Sequence, residues 1–134
     1  MIKYMLDTNM IAYAKNRRPV CVLERLLQHE PSEICISSIT MAELEYGDFN
    51  SSKPIQNRNA LMMFLSGIAV VPFDSSASLE YGEIRHTLKS QGNIIGGNDM
   101  LIAAHARSLN LILVTHNTKE FSRIPNLTLE DWAI

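Results

Sequence analysis

Cysteine is scarce in this chain of 134 residues, which holds only Cys21 and Cys35. Each lies in an apolar stretch, no Cys-x-x-Cys pair occurs, and no Cys/His group has zinc-ligand spacing. A disulfide framework and a structural zinc site are therefore excluded, and both thiols are expected to stay reduced. Long hydrophobic runs are missing as well. No apolar stretch approaches the roughly 20 residues that span a bilayer. The opening Met-Ile-Lys-Tyr-Met-Leu-Asp has no cationic leader or small-residue cleavage site. The expectation is a soluble cytoplasmic protein with no membrane partner. Positive charge is not in excess either: 12 Lys and Arg face 14 Asp and Glu, for a net charge of -2. That argues against a protein holding nucleic acid by bulk basic charge, and does not exclude one that meets phosphates through a local patch and bound cations. Internal repeats, low-complexity tracts and linkers are absent, so one domain over 1–134 is expected.

What is present is a chain 46% hydrophobic. At this length folding buries roughly two thirds of the unfolded surface, enough for a core that needs no covalent staple. Short apolar segments alternate with helical ones. Strands are predicted at Ile2–Leu6, Ile34–Ser37, Ala69–Phe73 and Leu111–Thr115, with a short fifth at Leu127–Leu129. Helices are predicted at Thr8–Lys15, Pro19–His29 (with Pro19 in the first turn), Thr40–Gly47, Ile55–Gly67, Ser75–Gln91 and Asn98–Leu109. Gly92 is the stop signal of the fifth. Strands alternating with helices imply βαβ crossovers, hence an α/β fold with a mainly parallel sheet of about five strands. In such sheets ligands lie beyond the carboxyl ends of the strands.

That rule selects four residues. Asp7 directly follows the first strand, in Tyr-Met-Leu-Asp-Thr-Asn. Glu43 lies in the first turn of the helix after the second strand, and Asp99 opens a helix after Gly96-Gly97-Asn98. Asn117 follows the fourth strand, in Leu-Val-Thr-His-Asn. Adjacent parallel strands would bring all four to one edge. Three crowded carboxylates repel one another unless a cation neutralises them. Hard oxygen donors around an open site suit Mg²⁺ or Mn²⁺, which can activate water for attack at phosphorus. Each position also has a structural reading. Thr40-x-x-Glu43 is a capping box, an acid in a first turn complements the helix dipole, and Asn117 with Glu120 resembles another box. Asp7 is the hardest to explain so, because Thr8 or Asn9 could cap the following helix. It is the joint pattern that points to chemistry.

The same segments carry a family resemblance. Met-Leu-Asp-Thr-Asn, Ile-Ser-Ser-Ile-Thr-Met-Ala-Glu-Leu-Glu-Tyr-Gly, Gln-Gly-Asn-Ile-Ile-Gly-Gly-Asn-Asp-Met-Leu-Ile-Ala-Ala-His-Ala, Leu-Val-Thr-His-Asn-Thr-Lys-Glu-Phe and the terminal Leu-Glu-Asp-Trp appear in this order. Together they resemble PIN domains, specifically the VapC-type toxins of bacterial toxin–antitoxin pairs. The resemblance implies a PIN fold and Mg²⁺- or Mn²⁺-dependent cleavage of RNA, with the tRNA anticodon loop as a frequent target. It further implies a homodimer and a cognate antitoxin that fills the active groove, DNA being reached only through that antitoxin. By motif, Asp7, Glu43 and Asp99 are the acidic site residues, Asp7 and Asp99 the direct metal ligands, and Thr115 a hydrogen-bonding support. The departure is Asn117, where many PIN domains carry a fourth aspartate. An amide brings no charge, and Glu120, one turn on, is the candidate to supply it.

Two other functions compete. A non-catalytic PIN-fold module binding RNA or antitoxin is kept open by Asn117. A phosphoaspartyl enzyme using Asp7 is disfavoured by Asn9, since enzymes of the haloacid dehalogenase type want an aspartate there. Lys15, Arg17 and Arg18 form a basic patch after the first helix, expected near the groove and available to RNA phosphates. Arg85, His86 and Lys89 form a weaker second one. His105 falls on an apolar helical face and reads as core. His116 lies beside the site, as a phosphate contact or a plain loop residue. Met41, Met62 and Met63 read as core filling, with a partner contact as the alternative.

Overall fold

A computed structural model describes all residues, 1–134. The apolar segments pair as five parallel strands: β1 (Tyr4–Leu6), β2 (Ile34–Ser37), β3 (Ala69–Val71), β4 (Ile112–Val114) and β5 (Leu129–Glu130). Their spatial order is β3-β2-β1-β4-β5. The chain winds outward from β1 through β2 to β3, then crosses back to lay β4 against the free edge of β1. The order thus reverses between β1 and β4, and the ligand crevice of an open parallel sheet opens at such a reversal.

Alternation along each strand feeds two cores. Met5, Cys35 and Leu113, which are register partners, point to one face and pack against Ile84 and Leu88 of α5 (Ser75–Ser90) and Met100 and Ala103 of α6 (Gly97–Ser108). Leu6, Ile36 and Val114 point to the other and meet Met10 and Ile11 of α1 (Thr8–Asn16), Val22 and Leu26 of α2 (Val20–Leu27) and Leu61 of α4 (Pro54–Phe64). Each fully buried Leu, Ile, Val or Met among them contributes about 1.5–3 kcal/mol relative to exposure. The helix α3 (Ser38–Phe49) straddles both: Ile39 packs on the first core, Met41 and Leu44 on the second. That placement keeps α3 at the carboxyl edge of the sheet.

Element order and type follow the sequence; several boundaries move. A 3₁₀ turn at Pro31–Glu33 and a one-turn helix α7 (Thr118–Phe121) are additional. Pro19 does not lie in the first turn of α2. It occupies the preceding cap position with extended backbone, ψ 145°. Likewise α3 starts two residues before Thr40, because the Ser37 hydroxyl accepts the Ile39 N–H at 3.1 Å and takes the cap. Gly92 ends α5 as expected, with φ +70° receiving the chain in the left-handed conformation that glycine adopts without a Cβ penalty. His105 is core: 1% exposed, it bonds the same Ser37 hydroxyl through Nδ1 at 2.8 Å. Burial lowers its pKa, which keeps it neutral in this apolar setting. Met41 and Met62 fill the second core as expected, whereas Met63 is exposed. Both cysteines are free, and burial pushes the Cys35 thiol up to about 12, leaving it inert. No helix is long and apolar enough to cross a membrane.

One buried cation ties the α5–α6 pair to the C-terminal segment. Arg107 donates to Glu80 from Nε (2.9 Å) and to Glu83 from Nη2 (2.8 Å), and Nη1 reaches the Pro125 carbonyl at 3.0 Å. Both carboxylates keep some solvent, so their loss of partner is tolerable, but the Pro125 carbonyl and the side-chain packing are not replaced. Arg107→Ala is expected to destabilise the protein by about 2 kcal/mol. A fall in Tm of about 5–10 °C checks it.

Candidate active site

Asp7 is the residue after β1, and its backbone N–H pairs with the Val114 carbonyl, so the chain leaves the sheet at the reversal point. Its carboxylate caps α1 by accepting the Met10 N–H at 2.9 Å. The alternative caps Thr8 and Asn9 are not used, because both already lie inside the helix. Asp7 is 5% exposed, and burial pushes its pKa up to about 6. The Thr115 hydroxyl and the Met10 N–H oppose that shift, while the charges of Asp99 and Glu43 add to it. Thr115, fully buried after β4, also accepts the Asn117 N–H at 3.0 Å, so one hydroxyl serves both the carboxylate and the following turn.

Asp99 sits in the first turn of α6. Its pKa is raised by burial first, then by the charges of Glu43 and Glu120. The expected capping box at Thr40 does not form. Glu43 lies beyond the first turn of the longer α3 and turns across to two other helices instead. It accepts from the Thr8 hydroxyl at 2.5 Å and from the Asn98 amide at 3.1 Å. Asn117 occupies the cap position of α7 but makes no capping bond with its side chain. Its amide donates to Glu120 Oε2 at 2.8 Å, which holds that carboxylate where its charge is felt by Asp99. The position that lacks a charge therefore positions one. Thr8 and Asn98 were not identified as site residues from sequence, although each adjoins one of the two aspartates.

The structure thus brings Asp7, Glu43, Asp99, Asn117, Thr115 and Glu120 to one edge. It does not bring the basic patch there. Lys15, Arg17 and Arg18 lie at the far end of α1, whose nine residues rise about 14 Å from the Asp7 cap. That separation follows from the chain itself, since Asp7 starts the helix that ends in the patch. Arg85, His86 and Lys89 are exposed, with Arg85 bonded to the Tyr81 hydroxyl at 2.8 Å. His116 bonds Asp131 through Nδ1 at 2.9 Å and meets the Tyr13 ring edge-on.

No lysine or arginine pairs with Asp7, Glu43, Asp99 or Glu120; the ion pairs of the molecule all lie elsewhere. The charges of Glu43 and Asp99 raise the pKa of Asp7, and those of Glu43 and Glu120 raise that of Asp99, so the edge offers hard oxygen donors without a counter-charge, a donor set that a divalent cation fits. As the side chains stand, no three of them close on a single point, Glu43 being held by Thr8 and Asn98 and Glu120 by Asn117. Beside Glu43 runs an open groove of about 610 Å³, lined by Thr8, Ile39, Ala42, Tyr46 and Asn98. A second cavity of about 510 Å³ between α2 and α4 includes Ile34, the first residue of β2, and so lies at the opposite edge, away from the acids.

Acids thus gather at the switch point of a five-stranded parallel sheet. The PIN domain family model matches residues 4–127. The chain is 48% identical to Ribonuclease VapC2 of Rickettsia felis over 96% of this chain and 97% of that one. It is 42% identical to the tRNA(fMet)-specific endonuclease VapC of Shigella flexneri, over 99% and 100%. A solved structure of Rickettsia felis VapBC2 bound to a promoter DNA fragment superposes with a TM-score of 0.90 at 46% identity, covering 98% of this chain and 99% of that one. The chain belongs to the PIN domain family, among its VapC ribonucleases.

The raised pKa of Asp7 makes stability depend on pH. Unfolded, the group titrates near 3.8; folded, near 6. The folded state therefore holds the proton more tightly. This favours folding fully below about pH 4, fades between about 4 and 6, and leaves a charged carboxylate costing about 3 kcal/mol at neutral pH. Asp7→Asn keeps a good cap and removes that charge. Without divalent cations, the variant is expected to exceed wild type in Tm at pH 7.5, with the gap closing by pH 4.5. A gap of equal size at both values would refute the assignment.

Proposed function

We propose that the chain is the toxin of a toxin–antitoxin pair and an endoribonuclease dependent on Mg²⁺ or Mn²⁺, with Asp7, Glu43, Asp99 and Glu120 as its acidic centre. One observation carries the reading: carboxylates from four segments are close enough for Asp7 to feel Asp99 and Glu43, and Asp99 to feel Glu43 and Glu120, while none of them pairs with a lysine or arginine. Asp7 and Asp99 are the direct ligands. The ion, when bound, supplies charge neutralisation, activation of water and stabilisation of the leaving oxygen at phosphorus. The protein's own residues do the rest. Met10 N–H and Thr115 orient the Asp7 carboxylate, Thr8 and Asn98 orient Glu43, and Asn117 orients Glu120. Holding these groups before substrate arrives removes reorganisation from the reaction.

The substrate we assign is RNA, and by likeness to the Shigella relative a tRNA; the anticodon loop is the cleavage region we assign by the motif resemblance. Lys15, Arg17 and Arg18, about 14 Å along α1, are placed to meet phosphates flanking the cut rather than the scissile one. The partner is a cognate antitoxin, since the Rickettsia neighbour was solved as VapBC2 on DNA. Phe49 of α3 and Ile55 and Met63 of α4, each at least 70% exposed, form apolar surface suited to such a partner. A second copy of the chain completes a homodimer, and DNA is engaged through the antitoxin.

Purified protein is expected to cut tRNA with Mg²⁺ or Mn²⁺, to stop with EDTA, and to recover on re-addition of the ion. Asp7→Ala is expected to lower kcat/KM by about 1,000-fold or more with the fold retained by circular dichroism. Asn117→Ala and Thr115→Val, which act through a carboxylate, are expected to lose about 10- to 100-fold. Full activity in Asp7→Ala would end this reading.

A further inference from the structure

The groove beside Glu43 has no part in the chemistry described above, yet it begins at that carboxylate. We propose that it is a nucleobase subsite, in which the ring of Tyr46 stacks on an unpaired base next to the scissile phosphate. The proposal rests on the ribonuclease reading and specifies how its substrate is gripped.

Ile39, Ala42, Glu43 and Tyr46 recur at helical spacing, so they form one stripe of α3. The stripe runs from the acidic centre outward. Tyr46 is 69% exposed, an aromatic ring kept in water three residues, less than one turn, from a site carboxylate. The groove is open to solvent, and its volume lies within the roughly 300–1,000 Å³ of small-ligand sites. Ile39 and Ala42 supply an apolar floor. At the inner end Asn98 spends its NH₂ on Glu43 and keeps its carbonyl oxygen unpartnered, an acceptor for a base amino group.

The occupant follows from this lining. Glu43 repels a bare phosphate, so the groove favours a flat, uncharged group with polar edges. A phosphate lying between Asp7 and Asp99 carries a neighbouring nucleotide whose base must leave the backbone within a few ångströms, and this groove is the adjacent space. A docked protein segment would seek more apolar area than the side chains of Ile39, Ala42 and Tyr46 offer. Stacking on an exposed aromatic is tolerant of sequence and strong enough to hold a single-stranded loop.

The test uses an anticodon stem-loop RNA carrying 2-aminopurine at one loop position at a time. Binding is followed with Asp7→Asn protein in Mg²⁺, so that it is read apart from cleavage. At one position the fluorescence is expected to quench on binding. Adding Tyr46→Ala is expected to abolish that quench and weaken binding by about 5- to 100-fold, whereas Tyr46→Phe keeps both. In otherwise wild-type protein, Tyr46→Ala is expected to raise KM by a similar factor with kcat changed less, and an unchanged Tm confirms the fold. An abasic residue at the quenched position is expected to cost wild type the same factor and Tyr46→Ala nothing further. Binding and KM unaltered in Tyr46→Ala would overturn the subsite. So would equal losses in Tyr46→Phe, which would mean the hydroxyl and not the ring is used. Loss of antitoxin inhibition alone would assign the groove to protein. Quenching that depends on Tyr46 in a protein that never cuts RNA would sustain the subsite and refute the nuclease.

Discussion

Repulsion among carboxylates organises this molecule. Asp7 is buried at the end of β1 with Asp99 and Glu43 raising its pKa, and Asp99 is raised in turn by Glu43 and Glu120. A fold selected for stability alone would not assemble them, since each charge costs more in the presence of the others. The remaining architecture makes the assembly tolerable. The β1–β4 reversal opens the crevice, α1 and α6 present their N-terminal ends to it, and Thr8, Thr115, Asn98 and Asn117 give the acids hydrogen-bond partners. Helix N-termini favour negative charge, so the scaffold offers partial compensation before any ion arrives.

Structural and functional roles are not alternatives in this site. Asp7 caps α1 and is also the most buried of the acids. A cap fixes the carboxylate's direction, because Oδ1 accepts the Met10 N–H. Asn117 lies where a charge is expected and has none, yet its amide steers Glu120 toward Asp99.

The general plan was legible from pattern. Apolar segments of strand length alternated with helical periods, and a carboxylate or amide followed three of the strands or opened a helix. Those signals are local and strong, and they pointed Asp7, Glu43, Asp99 and Asn117 to one edge, with Glu120 a further candidate one turn beyond Asn117. Boundaries were less legible, because a strand ends where its partner ends, as Phe73 and Thr115 show by lying outside β3 and β4. The Thr40–Glu43 box was a correct motif in the wrong place. Ser37, three residues earlier, caps α3 and is itself held by His105 from α6, a contact 68 residues distant that no local pattern contains.

By itself the sequence determined which residue types could do chemistry, their order along the chain, and the alternation that makes the sheet parallel. It did so because periodicity and chain direction are properties of neighbours. Tertiary structure decided which distant partner each acid takes: Thr8 and Asn98 for Glu43, and Thr115 for Asp7. It also decided that Lys15, Arg17 and Arg18 stand a helix length from the acids. Distances across the sheet depend on strand order and helix packing, which are set by the burial of Leu6, Met5 and their partners and are written in no short stretch of the chain.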